Sequence, residues 1–309
     1  MTALKAAMIT RLAIATFFSF LPISYSTGKT TKYDFKQGCV AEVYKHASGD
    51  DLWIYRFDPA DKTPTAKPAV VFFFGGGWNG GNVSQFEQHA RYLASRGIVS
   101  FVADYRVKTR QNTQPDACVA DGKSAIRWVR KNAARLGIDP ARIAAGGGSA
   151  GGHVAATTGM CDGLEAPEEK DSVISSKSNA LLLFNPVYDN GPKGYGHSRA
   201  KKWFPAISPA HNISKDDPPT IVFLGSADSL IPVSTAETFD RNLQQLGIQS
   251  ELWVYDGQPH GFFNEHKNQK AFLDTVRKMD RFLQSIDWLK GPVDEKKLTS
   301  LLKTKPKQK

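Results

Sequence analysis

Nucleophilic catalysis needs a reactive side chain that stands clear of its neighbours. Residues 144–153 read AAGGGSAGGH, which surrounds Ser149 with five glycines and three alanines. A flexible linker would also be small, but this stretch sits between an apolar strand-like run, RIAAGG, and a helix-like pattern, AGGHVAATTGM. Gly147-Gly148-Ser149-Ala150-Gly151 fits G-x-S-x-G. In a tight strand-to-helix turn the serine is forced into a strained conformation, and crowding from both sides leaves room only for small flanking residues. The helix start behind it supplies N–H donors and a dipole that favour a developing anion.

A serine hydroxyl is a weak nucleophile without a base. The chain has seven histidines. His46 falls in a hairpin and His89 within a helical pattern. His153 belongs to the helix after the serine, where packing or hydrogen bonding is its expected role. His260 differs: YDGQPHGFFN places it in a loop after the strand-like SELWVYD, and loops leaving carboxyl strand ends converge on the crevice of an open parallel sheet. His266 is the runner-up. The acid that orients the base is read as Asp228, in the loop leaving the strand TIVFLGS. Asp256 is the alternative, although it shares a loop with the base and suits a turn cap.

The third component is a set of backbone donors for an oxyanion. FFFGGGWNGG follows the run AVVFFF, and glycines let a backbone approach a reacting carbonyl closely while aiming N–H groups at it. A dinucleotide fingerprint fits poorly, because Gly75-Gly76-Gly77 matches only its first part and the strand does not run straight into a helix.

These residues need a frame. CVAEVYK and DLWIYRF alternate as two strands joined by HASGD, a hairpin. AVVFFF, IVSFVADY, RIAAGG, ALLLFNP, TIVFLGS and SELWVYD add further strands, several of them continuously apolar as doubly covered parallel strands are. Helical patterns intervene. SQFEQHARYLASRG takes Ser84 as its N-cap with Glu87 in the capping-box position and stops at Gly97. Cys118 to Leu136 repeats at three- and four-residue spacing and stops at Gly137. PVSTAETFDRNLQQLG and KAFLDTVRKMDRFLQSI follow. Strand alternating with helix predicts a mostly parallel sheet covered on both faces. No internal linker is visible, so one domain is expected over residues 27–290.

The net charge of +10 raises nucleic-acid binding, but the distribution argues against it. Residues 296–309 carry six lysines and no acid, and Lys5 and Arg11 add two more positive charges. The remainder is nearly balanced, so residues 291–309 are read as a basic flexible tail. MTALKAAMITR, the apolar LAIATFFSFLPIS and the small-residue SYS form the expected pattern of a secretory signal over residues 1–26, cut near Ser26. An exported, periplasmic or extracellular protein without stable membrane insertion is therefore expected. The odd set Cys39, Cys118 and Cys161 matches no metal spacing and supports no disulfide assignment. No cofactor is expected.

The motifs resemble those of the α/β-hydrolase superfamily, in its esterase and lipase group with an HGGG motif before the first crossover helix. Gly75-Gly76-Gly77-Trp78 matches GGGW, which implies Gly76 and Gly77 as oxyanion donors joined by Ala150, with Trp78 as a substrate contact; Asp104-Tyr105-Arg106 matches the group's DYR, Ser149 its nucleophile, Asp228 its acid and PHGF its histidine turn at His260. The resemblance covers nearly all of the chain after the leader. It implies an α/β-hydrolase fold with a mostly parallel eight-stranded sheet, helices on both faces and a short cap. It also implies serine carboxylesterase activity with Ser149, Asp228 and His260 as triad. Two positions depart from the group. Phe74 replaces the motif histidine, and Gly148 stands where close lipase relatives often carry an acid. The second departure is more similar to small exported esterases acting on carbohydrate-linked acyl groups, so acetylated carbohydrates join small-molecule esters as expected substrates. The cap is read between the sixth and seventh strands, where Tyr188, Tyr195, His197, Arg199, Lys201, Lys202, Trp203 and Phe204 cluster. Its aromatics either stack on sugar rings or close a small core. A lipase of the same fold and a non-catalytic binding module are the competing readings.

Overall fold

The computed structural model describes residues 31–302 except 36, 37, 62 and 64. The expected leader, and the tail beyond residue 302, lie outside the described residues. The described residues form eight strands: β1 Val40–Ala47, β2 Asp50–Phe57, β3 Lys67–Phe73, β4 Val99–Ala103, β5 Ile138–Gly148, β6 Ala180–Phe184, β7 Thr220–Gly225 and β8 Ser250–Tyr255. They form one sheet in the order β1-β2-β4-β3-β5-β6-β7-β8. The β1–β2 and β2–β4 pairs are antiparallel and the other pairs are parallel. Ser48 and Gly49 close the β1–β2 hairpin with φ of 57° and 78°, the left-handed pair that a two-residue turn requires.

The central strands β3, β4, β6 and β7 are buried almost throughout, as their unbroken apolar runs predict. Six helices matter for the frame: α1 Glu87–Ser95, α2 Pro115–Lys131, α3 Ala150–Met160, α4 Val233–Gln245, α5 Gln269–Ser285 and α6 Glu295–Ser300. Helices α1, α5 and α6 pack together, α2 packs with α3, and α4 lies along β7 and β8. Helix α1 begins differently from its expected capping box. Asn82 is the cap, accepting from the Ser84 N–H at 2.8 Å, and a single 3₁₀ turn over Val83–Phe86 precedes Glu87. Glu87 instead holds Arg91 one turn along at 2.9 Å.

The expected flexible tail from residue 291 is corrected in part. Asp294 caps α6 by accepting from the Lys297 N–H at 2.9 Å, and Leu298 is wholly buried. Glu295 pairs with Arg277 at 2.7 Å, and Gln88 donates to the Leu301 carbonyl at 2.7 Å. One apolar side chain per turn docks this segment, a signal that the lysine run obscured. Cys39, Cys118 and Cys161 are free thiols, the latter two buried.

Candidate active site

β5 ends at Gly148 and α3 begins at Ala150, so Ser149 occupies the turn with φ 54° and ψ −120°. That left-handed backbone is costly for any residue with a side chain. It is held from three directions: the Ser149 N–H donates to the Phe184 carbonyl at 3.0 Å, and its own carbonyl accepts from His153 at 3.0 Å and Val187 at 3.1 Å. The small neighbours are required by contact. A Cβ at Gly147 would lie 2.4 Å from the Gly151 carbonyl oxygen, and one at Gly151 would lie 2.2 Å from the Phe73 carbonyl oxygen.

His260 and Asp228 converge on this hydroxyl from the loops after β8 and β7. His260 Nε2 lies 2.9 Å from Ser149 Oγ, and His260 Nδ1 lies 2.7 Å from Asp228 Oδ2. A carboxylate only accepts, so Nδ1 carries the proton and Nε2 is left to accept from the serine. The Asp228 side chain is 0% exposed and that of His260 22%. Asp228 Oδ1 accepts from the Leu230 and Ile231 N–H groups at 2.9 and 3.1 Å, which sets the carboxylate plane. Asp256 takes another role, accepting from Ser226 Oγ at 3.2 Å, and His266 is exposed.

Sequence reasoning missed Asn185, directly after β6. It has φ 34° and is fully buried. Its Oδ1 accepts from the Gly261 N–H at 2.8 Å, and its Nδ2 lies 3.4 Å from His260 Nε2. It also missed Gln85, whose Oε1 accepts from the Gly75 N–H at 2.6 Å and whose Nε2 donates to Asn264 Oδ1 at 3.1 Å. Asn264 in turn donates to the Gly261 carbonyl at 2.8 Å. These amides tie the glycine loop to the histidine loop. A strand-end asparagine before proline was the one available signal, since asparagine tolerates left-handed backbone.

Gly76 and Gly77 have φ of 138° and 61°. Among the described residues neither N–H is donated to a protein acceptor, and Ala150 opens α3, so its N–H has no acceptor within the helix. Three donors are thus available beside Ser149. The Gly76 carbonyl accepts from Asn79 and Gly80 at 3.0 and 3.3 Å, which turns the Gly77 N–H of the same peptide the opposite way. Phe74, the departure from HGGG, does not leave its loop unbraced. Its ring stacks on Tyr105 with centroids 4.2 Å apart, and Tyr105 Oη donates to the Phe74 carbonyl at 2.6 Å.

Trp78 is corrected as a substrate contact. It is 1% exposed, and its Nε1 donates to His153 Nδ1 at 3.3 Å. His153 donates onward from Nε2 to the Ile207 carbonyl at 2.7 Å, so it is the neutral tautomer, and burial pushes its pKa down to about 4. The indole failed as a surface prediction because the cap turn closes over it. A Cβ at Gly196 would lie 2.5 Å from the Trp78 ring. Tyr188 in the cap is likewise buried, stacked on Phe239 at 4.6 Å.

The BD-FAE family model matches residues 54–192, and the dienelactone hydrolase family model matches residues 187–291. The structure is similar to apo Thermogutta terrifontis esterase 2, with a TM-score of 0.79 and 44% identity over 84% of this chain and all of that one. The chain belongs to the esterase group of the α/β-hydrolase superfamily. Other members include a probable isoprenylcysteine alpha-carbonyl methylesterase of Oryza sativa, 32% identical over 72% of this chain and 57% of that protein. A probable carboxylic ester hydrolase of Mycobacterium tuberculosis is 31% identical over 68% of this chain and 52% of that protein. The chain spans about half the length of these curated relatives.

Proposed function

We propose that this α/β-hydrolase cleaves short-chain carboxylic esters through an acyl-enzyme on Ser149. His260 takes the serine proton as Oγ attacks the ester carbonyl. Asp228 holds the imidazole tautomer and faces the imidazolium that forms. The N–H groups of Gly76, Gly77 and Ala150 meet the carbonyl oxygen as it becomes an anion. Collapse expels the alcohol, which His260 protonates. A water deprotonated by the same histidine then releases the acid and restores the serine. The observation that carries this reading is the unbroken line Ser149–His260–Asp228, at 2.9 and 2.7 Å, beside three unspent backbone donors.

The acyl preference rests on two supports. The cap is short, and transfer of each methylene from water is worth about 0.8 kcal/mol only where a pocket can bury it. Thermogutta esterase 2 has been solved with propionate and with butyrate bound. Acetyl to butyryl esters of small polar alcohols, acetylated carbohydrates among them, are the proposed substrates. The first 26 residues support export, which N-terminal sequencing of the mature protein tests.

The deciding experiment compares kcat/KM on acetyl, butyryl and decanoyl nitrophenyl esters, then measures acetate release from acetylated xylan. It is paired with fluorophosphonate labelling mapped to Ser149. A maximum at or below butyryl with labelling at Ser149 is expected. A steady rise to decanoyl moves the protein to lipase chemistry, and absence of both turnover and labelling moves it to a binding module.

A further inference from the structure

The glycine loop that offers the oxyanion donors is held carbonyl by carbonyl. Tyr105 holds the Phe74 carbonyl, Asn79 and Gly80 hold that of Gly76, and the Lys108 N–H holds that of Trp78 at 3.0 Å. The Gly77 carbonyl is held differently. Its donor is Nη1 of Arg199, which comes from the cap and is 122 residues away in sequence. The same Nη1 reaches Asn79 Oδ1 at 3.3 Å. The guanidinium lies 4.9 Å from the Trp78 ring centre and 5.8 Å from that of Tyr195, so its plane is fixed by two aromatic faces. Asn190 anchors this cap turn by donating to the Tyr195 carbonyl at 3.1 Å.

A glycine loop is conformationally soft, whereas donors for an oxyanion stabilise it only when they are already aimed. We infer that Arg199 is a positioning residue that sets the Gly77 segment of the oxyanion loop from the cap, so that the cap helps assemble the catalytic site as well as roofing it. The cation contributes in a second way. It places positive charge on the Gly77–Trp78 peptide, directly next to the Gly76–Gly77 peptide whose N–H faces the developing anion, in a partly desolvated site where the field is weakly screened. This assigns Arg199 a role distinct from stacking on a substrate or closing a cap core. The inference rests on the proposed donor role of Gly76 and Gly77.

Two substitutions test it. Arg199→Met keeps an apolar stem over Trp78 and removes the fork, while Arg199→Lys keeps the cation but not its planar geometry. On nitrophenyl butyrate, Arg199→Met should lower kcat by about 10- to 100-fold with KM within about threefold, because the loss falls on the transition state. Affinity for a butyl boronic acid, whose tetrahedral serine adduct places an oxygen among the donors, should fall in parallel, with the thermal midpoint nearly unchanged. Arg199→Lys should recover part of both, and it remains informative if the Met variant does not fold. Wild-type kcat in Arg199→Lys and Arg199→Met, or a loss confined to KM, overturns the inference while leaving the ester-hydrolase reading intact. A kcat loss that tracks a falling melting temperature with no gain from lysine also overturns it, as the signature of a merely structural arginine. A wild-type enzyme without turnover or labelling overturns both.

Discussion

At the scale of single residues, Ser149 has two separable properties, its hydroxyl and its strained backbone. Ser149→Ala should lower kcat by about 10⁴-fold or more if, as proposed, Ser149, His260 and Asp228 act as a triad, whose members work as a unit. The alanine keeps a Cβ at φ 54°, so its stability should stay near wild type. Ser149→Gly should be equally inactive but more stable than Ser149→Ala, since left-handed strain at a non-glycine residue costs about 1–3 kcal/mol. Paired urea unfolding curves check this, and equal stabilities would mean the turn stores no strain. Asn185 carries a related expectation. Losing its amide frees the Gly261 N–H and the face of His260, so Asn185→Ala should reduce kcat by roughly tenfold to a hundredfold, with KM changing little. Steady-state kinetics at saturating ester reads it directly.

At the scale of elements, the oxyanion loop and the last helix are the two whose boundaries sequence reading only partly resolved. A Cβ at Gly76 would lie 2.2 Å from the Gly80 carbonyl oxygen, and φ there is 138°. Gly76→Val must therefore rebuild the loop, with an expected kcat loss of about 10²-fold or more alongside a lower melting temperature. Phe74→His is milder: the backbone donors survive, so activity should stay within about tenfold while stacking on Tyr105 weakens. Comparing the two variants tests whether main-chain position, rather than the residue at 74, governs the loop. For α6, Leu298→Asp places a charge where none of the side chain is exposed and should destabilise the fold by about 3 kcal/mol or more. Truncation after residue 302 should be silent, and truncation after 292 should not. Differential scanning calorimetry of the three proteins measures what α6 contributes to the fold.

For the whole molecule, two buried histidines predict how stability responds to acid. Burial lowers the His89 pKa to about 3 and the His153 pKa to about 4, from an ordinary 6.5. The unfolded chain therefore takes up these protons as pH falls below about 6.5, while the folded protein refuses them until near 4 and 3. Folding stability is full above pH 6.5 and is lost progressively below it. His89 sits among Phe72, Phe86, Phe184, Phe263 and Phe272, and among the described residues neither ring nitrogen has a hydrogen-bond partner. His89→Leu should remove one such proton, so that its stability gain over wild type is about 2 kcal/mol larger at pH 5 than at pH 7. Urea titrations at the two pH values decide it, and a gain independent of pH would refute the buried-histidine account.

What the sequence determined by itself is the part written in contiguous stretches. Unbroken apolar runs such as AVVFFF and ALLLFNP specify doubly covered strands, because burial on both faces permits no polar alternation. The glycines around Ser149 specify a sharp turn, because no larger residue fits between β5, α3 and the carbonyl oxygens of Phe73 and Phe74. The order of serine, acid and histidine was legible too. What only the tertiary structure decided is which distant groups meet. Ser149 and His260 are 111 residues apart, and their contact depends on the strand order that brings the β5, β7 and β8 loops to one edge. The tertiary structure also buried Trp78 beneath the cap and drew Asn185, Gln85 and Arg199 into the site. Gln85 and Arg199 have no local signature, because an amide or a guanidinium reads as surface until the chain has folded a partner against it.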